Sequence, residues 1–114
     1  MLPTARLSLD TDPRFQNVDA VYISTPHSHH HCNASDATKA GKHVLCEKPV
    51  TINAAELRDL ITLAKDYNVF FMEAMWTRFQ PLSLELKKIA EEGPLGLPVL
   101  LHADLSGIFD IHSK

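Results

Sequence analysis

The sequence predicts an α/β fold, a piece of a doubly wound parallel sheet. Three observations carry this expectation. Short apolar runs rich in β-branched and aromatic residues alternate with longer amphipathic stretches, three times over, before a fourth apolar run. The amphipathic stretches are long enough to be helical crossovers, which join parallel strands with right-handed connections. The apolar runs are nearly continuous rather than alternating, as in strands covered by helices on both faces.

Residues 1–16 are weakly patterned: Leu7 and Leu9 alternate with polar neighbours and Thr11-Asp12-Pro13 reads as a turn. The first strand is Val18 to Ser24. Thr25-Pro26-His27-Ser28 ends it, Ser28 is a candidate N-cap, and a helix runs to Ala40 with Ala34 and Ala37 on one narrow face and Cys32 beside it. Gly41 sits where a left-handed residue closes a helix, with Lys39 and Lys42 at the negative end of its dipole. The run Val44 to Cys46 is a buried strand that stops at Glu47-Lys48-Pro49. Pro49 disfavours helical geometry at Lys48, so the lysine stands on an extended stem.

Asn53 and Glu56 fit a capping box, and Leu57, Leu60, Ile61 and Ala64 follow as one buried stripe. Asp66-Tyr67-Asn68 breaks that helix. Val69 to Met72 is a third strand, leading into Glu73 through Phe79. Pro81 opens a third helix with Leu82, Leu86, Ile89 and Ala90 on one face, closed by Gly93-Pro94. A fourth strand is expected from Pro98 to Leu105, and Gly107 to Lys114 form no complete element.

Composition narrows the function classes. A chain of 114 residues with 45% hydrophobic and 22% charged residues suits one small globular domain. The net charge of −3 gives no basic footprint for nucleic acid. No apolar run approaches a membrane span, and the N-terminal residues do not read as a secretory signal. Two cysteines, Cys32 and Cys46, make no disulfide framework and are expected to be buried thiols in a reducing cytoplasm.

Chemistry is expected at the carboxyl ends of the strands, where open α/β sheets bind ligands. The turns Thr25–His30, Glu47–Pro49 and Trp76–Arg78 each follow a strand, so a parallel sheet places all three on one edge. Lys48 reads either as a surface lysine paired with Glu47 or as a general acid/base. His27 and His30 read either as a polar helix start or as the lining of a ligand at that edge. His27, His29, His30 and His31 invite a zinc reading, but neighbouring histidines on a helix point in different directions, so no metal site is assigned. Trp76 and Arg78 read either as a core anchor with a surface charge or as a stacking and polar-binding pair. No nucleophile elbow accompanies Ser24 or Ser28. The four glycines contain no Gly-x-Gly-x-x-Gly, with which a complete dinucleotide-binding domain should begin.

The ordered set Val18-Asp-Ala-Val-Tyr-Ile-Ser-Thr-Pro-His27-Ser-His-His30, Ala40-Gly-Lys-His-Val-Leu-Cys-Glu47-Lys48-Pro49 and Met72-Glu-Ala-Met-Trp76-Thr-Arg78-Phe resembles the glucose–fructose oxidoreductase/inositol dehydrogenase family. The third phrase looks most like the branch of dihydrodiol and D-xylose dehydrogenases. The resemblance implies the C-terminal half of a Rossmann-like sheet at residues 1–97, lacking the glycine-rich loop, with 98–114 as the first strand of an α+β second domain. It implies hydride transfer between a sugar or cyclic diol and NADP or NAD, with NADP favoured, in proteins that are usually homo-oligomers. It assigns Lys48 as proton shuttle and Ser24, Thr25, Pro26, His27, His30, Glu47, Pro49, Trp76 and Arg78, with Lys48, as cofactor-binding. The chain is therefore expected to be a fragment that does not catalyse hydride transfer unaided. The other reading is a truncated, non-catalytic binding or interaction module.

Overall fold

In the computed structural model, residues 16–93, 96–97, 99–104 and 106 are described. They fall into two units, Met1–Trp76 and Thr77–Lys114.

The first unit is built on three short parallel strands, β1 (Ala20–Ile23), β2 (His43–Cys46) and β3 (Phe71–Glu73), paired side by side in chain order. Ile23 lies opposite Cys46, and Cys46 opposite Glu73, so the three carboxyl ends are level. Helix α1 (His27–Lys39) connects the first two strands and α2 (Ala54–Asp66) the second two.

Both crossovers step in the same direction across the sheet, so right-handed connections bring both helices to one face. Ile23, Val44 and Cys46 point to that face and form the core with Ala34, Ala37, Val50 and Leu60. Tyr22, 56% exposed, and Leu45, 38% exposed, point the other way. Within the described residues of this unit, the helices of the parallel sheet cover one face. Strand β1 is shorter than the expected Val18–Ser24.

The helix ends are local chemistry. Pro26, with φ −56° and ψ 145°, is the N-cap of α1, and its carbonyl accepts from the His29 N–H at 2.8 Å. The expected cap, Ser28, lies inside the first turn, where its hydroxyl meets His29 Nδ1 at 3.1 Å. At the other end, Lys42 N–H donates to Ala37 and Gly41 N–H to Thr38, a Schellman closure with Gly41 at φ 71°. Asn68, at φ 52°, does the same for α2 through bonds from Val69 to Ala64 and from Asn68 to Lys65. Asn53 caps α2 as expected, its Oδ1 accepting from the Glu56 N–H at 2.9 Å, while the Glu56 carboxylate returns to the Asn53 side-chain amide, Nδ2, at 3.0 Å rather than to its backbone N–H. In its stripe Leu60 and Ala64 are buried, Leu57 is half-buried, and Ile61 is exposed at the margin. Cys46 is buried as expected, whereas Cys32 is exposed because it sits off the buried face of α1.

The second unit contains α3 (Pro81–Glu92), opened by Pro81 and closed by Gly93 at φ 75°. Leu82 and Leu86 have the expected spacing but are exposed, and Lys87 pairs with Glu91 at 3.6 Å on the surface. Within the described part of the expected fourth strand, residues 99–104 pair into no ladder, and Val99 to Leu101 lie open to solvent. A strand exists only as part of a ladder, and these residues have no strand partner among those described. Pro98, Leu105 and Gly107 to Lys114 lie outside the described residues. Among the described residues no helix is long and apolar enough to cross a membrane.

Leu60→Ala should lower unfolding free energy by roughly 2–5 kcal/mol, and Asn53→Ala by about 1 kcal/mol, in urea denaturation of the 114-residue chain. Equal effects from the two substitutions would contradict this core.

Candidate functional site

The loops that leave β1, β2 and β3 meet at one end of the sheet. The first begins at Ser24, the second at Glu47 and the third at Ala74. Glu47 N–H donates to the Ile23 carbonyl at 2.8 Å, and Ala74 N–H to the Cys46 carbonyl at 2.7 Å, so the second and third loops each start from a backbone bond to the neighbouring strand.

His30 joins the first two loops. It has no solvent exposure. Its Nδ1 lies 2.8 Å from the Pro49 carbonyl oxygen and its Nε2 2.7 Å from that of Thr25. Carbonyl oxygens only accept, so the ring satisfies both bonds at once only when both nitrogens carry hydrogen. Asn33, one turn later on the buried face, donates from Nδ2 to Thr25 Oγ1 at 3.0 Å. His27 packs edge-on against the His30 ring, with centroids 5.5 Å apart.

The Lys48 turn is held by two further side chains. Glu47 Oε2 accepts the backbone N–H of Lys48 at 3.1 Å. Glu73, at the end of β3, accepts the backbone N–H of Val50 at 2.9 Å. The Lys48–Pro49 peptide is cis. The backbone around Lys48 is therefore tied at residues 48, 49 and 50 by Glu47, His30 and Glu73, while the lysine side chain itself is exposed. The other oxygen of Glu47 accepts from the Tyr22 hydroxyl. That bond and the Lys48 N–H hold the Glu47 carboxyl below the usual carboxylate range. The same bond raises the Tyr22 phenol. Burial pushes the Cys46 thiol up to about 11, so the cysteine beside this turn is inert at neutral pH.

The structure thus brings together Thr25, Pro26, His27, His30, Glu47, Lys48 and Pro49, with Ser24 exposed at the strand end. It places His30 beneath the two turns, with both ring nitrogens facing backbone, rather than open to a ligand. Trp76 follows β3 directly; its N–H donates to the Ala74 carbonyl at 2.9 Å and its side chain is exposed. Arg78 is exposed and belongs to the second unit. Sequence reasoning missed Tyr22, Asn33 and Glu73. Asn33 was detectable, three residues after His30 on the same helix face. Glu73 was visible only as a carboxylate closing an apolar strand. Among the described residues no group of three or more His, Cys, Asp or Glu side chains is arranged to hold a metal ion.

Residues 6–75 match the model of the oxidoreductase family with an NAD-binding Rossmann fold. The chain is 49% identical over 90 residues to D-xylose 1-dehydrogenase (NADP(+)) of Hypocrea jecorina, covering 79% of this chain and 23% of that protein. It is 41% identical over 95 residues to trans-1,2-dihydrobenzene-1,2-diol dehydrogenase of Macaca fuscata fuscata, covering 83% and 28%. An NAD-binding protein from Listeria innocua superposes with a TM-score of 0.68 at 39% identity, over 72% of this chain and 24% of that one. The chain spans about a quarter of the length of the curated relatives it matches.

His30→Leu should remove the clasp and leave two carbonyls to find water, at roughly 1–3 kcal/mol for each group left unpaired. Amide hydrogen exchange should quicken at Ser24, Thr25, Glu47, Lys48 and Val50 and stay unchanged in the centre of α2. Uniform acceleration throughout the first unit would argue for a packing role alone.

Proposed function

The chain belongs to the oxidoreductase family with an NAD-binding Rossmann fold, and from that premise we propose that it supplies the nicotinamide end of an NAD(P)-dependent dehydrogenase acting on a CH–OH group of a sugar or cyclic diol. The observation that carries this reading is the Lys48 turn, tied from three sides at the strand ends with its ammonium left open. Backbone that is fixed while the side chain stays accessible is what an acid/base group needs for hydrogen-bond reach to a reacting hydroxyl.

The residues at this edge suit the cofactor. Exposed Ser24, Thr25, Pro26 and His27 form a polar ledge beside a lysine cation, and the N-terminus of α1 opens on the same side. Such a ledge matches a ribose and its neighbouring phosphate. Trp76 offers a flat, exposed indole. When bound, the nicotinamide ring supplies the hydride acceptor or donor. Lys48 takes the hydroxyl proton as the alcohol is oxidised and returns it in the reverse direction. Thr25, Pro26 and His27 line the cofactor, His30 and Asn33 hold that turn, and Glu47 and Pro49 shape the pocket beside Lys48.

NADP is the favoured cofactor, since the D-xylose 1-dehydrogenase that the chain resembles carries NADP(+) in its name. The domain boundary is placed at residue 97, with 98–114 opening a second domain. Two free thiols, Cys32 and Cys46, fit a reducing, cytoplasmic setting.

NADP+ titrated into the 114-residue chain should change the fluorescence of Trp76, its single tryptophan. In the dehydrogenase that carries these residues, Lys48→Met should lower kcat for D-xylose or a trans-dihydrodiol by roughly 10²–10⁴. A variant that kept its kcat would sink the assignment of Lys48.

A further inference from the structure

We infer that Tyr22 is a positioning residue for Lys48: its phenol fixes the Glu47 carboxylate, which in turn holds the lysine's own backbone N–H. The inference rests on the reading of Lys48 as the proton carrier.

Tyr22 lies on β1 directly opposite Leu45 of β2, and both point to the open face of the sheet. Side chains two apart on a strand share a face, so Glu47, two residues after Leu45, emerges on the Tyr22 side. The backbone fixes where it emerges, because Glu47 N–H donates to the Ile23 carbonyl at 2.8 Å. The carboxylate is then spanned from both ends. Oε1 accepts from the Tyr22 hydroxyl, and Oε2 accepts from the Lys48 N–H at 3.1 Å. Rotating the carboxylate breaks both bonds together, so the phenol restrains the angle at which the lysine leaves the strand.

Tyr22 does not earn its place by core packing. It is 56% exposed, on the face away from α1 and α2. Its hydroxyl donates across to the residue beside Lys48. Charge follows the same path. The phenol bond is the largest cause holding Glu47 ionised, followed by the Lys48 N–H, with Lys48 and His30 adding attraction. On the tyrosine side the carboxylate is the main influence, and Cys46 is the other titratable neighbour. A phenol raised in this way favours its neutral, donating form. Its contribution is present below the ordinary tyrosine range and is lost as pH rises through the raised value.

The test uses the 114-residue chain without cofactor, with side-chain NMR titration and Lys48 amide exchange as readouts. In Tyr22→Phe the Glu47 carboxyl should titrate nearer its ordinary range and the Lys48 amide should exchange faster. Melting should change little, as for most surface substitutions. In Glu47→Gln, which keeps an acceptor but removes the charge, the Tyr22 phenol should titrate nearer its ordinary value. An unchanged Lys48 amide in folded Tyr22→Phe would overturn the inference. Should that variant fail to fold, an unshifted phenol in Glu47→Gln would overturn it instead. In the active dehydrogenase, Tyr22→Phe should lower kcat several-fold with KM held, a split that a merely structural role would not produce. The chain-level readouts involve no cofactor, so failure of the dehydrogenase reading, seen as full kcat in Lys48→Met, is distinguishable from failure here.

Discussion

The close approach of α1 to the sheet is the constraint on which the first unit depends. His30, Ala34 and Ala37 fall at i, i+4 and i+7 and all have zero exposure. Two alanines in the middle of that stripe leave the helix backbone near Ile23, Val44 and Cys46. A larger side chain at either position would lift the helix off the strands, the kind of overpacking that costs about 1–3 kcal/mol. It would also withdraw His30, which continues the same stripe past the sheet's end. The packing of the core and the assembly of the loops are therefore one geometric fact.

The level ends of three parallel strands explain why so much backbone polarity is resolved at this edge. A strand that stops leaves N–H and C=O groups without ladder partners, and a buried or half-buried edge cannot leave them unpaired. Here a histidine and two glutamates take up that role, while Asn33 holds the Thr25 hydroxyl. These side chains are chosen by hydrogen-bond need, and their effect is to leave Lys48 as an open charge on a fixed support. Proton transfer benefits from that combination, since an accessible group with a restrained stem loses little freedom on engaging a substrate.

Features governed by neighbours in the chain were legible in the sequence. Gly41 closes α1 because a left-handed residue completes its terminal bonds, Gly93 ends α3 in the same left-handed conformation, and Asn53 caps α2 because its side chain mimics a backbone acceptor. Pro26 overrode Ser28 as a cap because its fixed φ already ends the extended segment. Thr25, Lys48 and Pro49 were legible as an edge cluster from strand order alone. What the sequence did not disclose depends on residues far apart in the chain. Tyr22 meets Glu47 across 25 positions and Val50 meets Glu73 across 23. His30 was open to two readings, a polar helix start or a ligand lining, and its carbonyl partners were not visible because they come from two different loops. Which face the helices cover also rests on distant strand order: three strands that step one way receive their crossovers on one side. The apolar run 98–105 shows the related limit: hydrophobicity proposes a strand, but only a partner makes one.

The His30 bridge has a thermodynamic corollary. One ring contacts the Thr25 carbonyl and the Pro49 carbonyl, so the order of either loop contributes to the order of the other. Coupling free energy between two places is reciprocal. Whatever a bound molecule gains by stiffening the Thr25 turn, a molecule engaging the Lys48 turn gains back by the same amount. Two ligands that meet at this edge would then bind cooperatively without touching each other, the first having already met the entropic cost of ordering that the second would otherwise face.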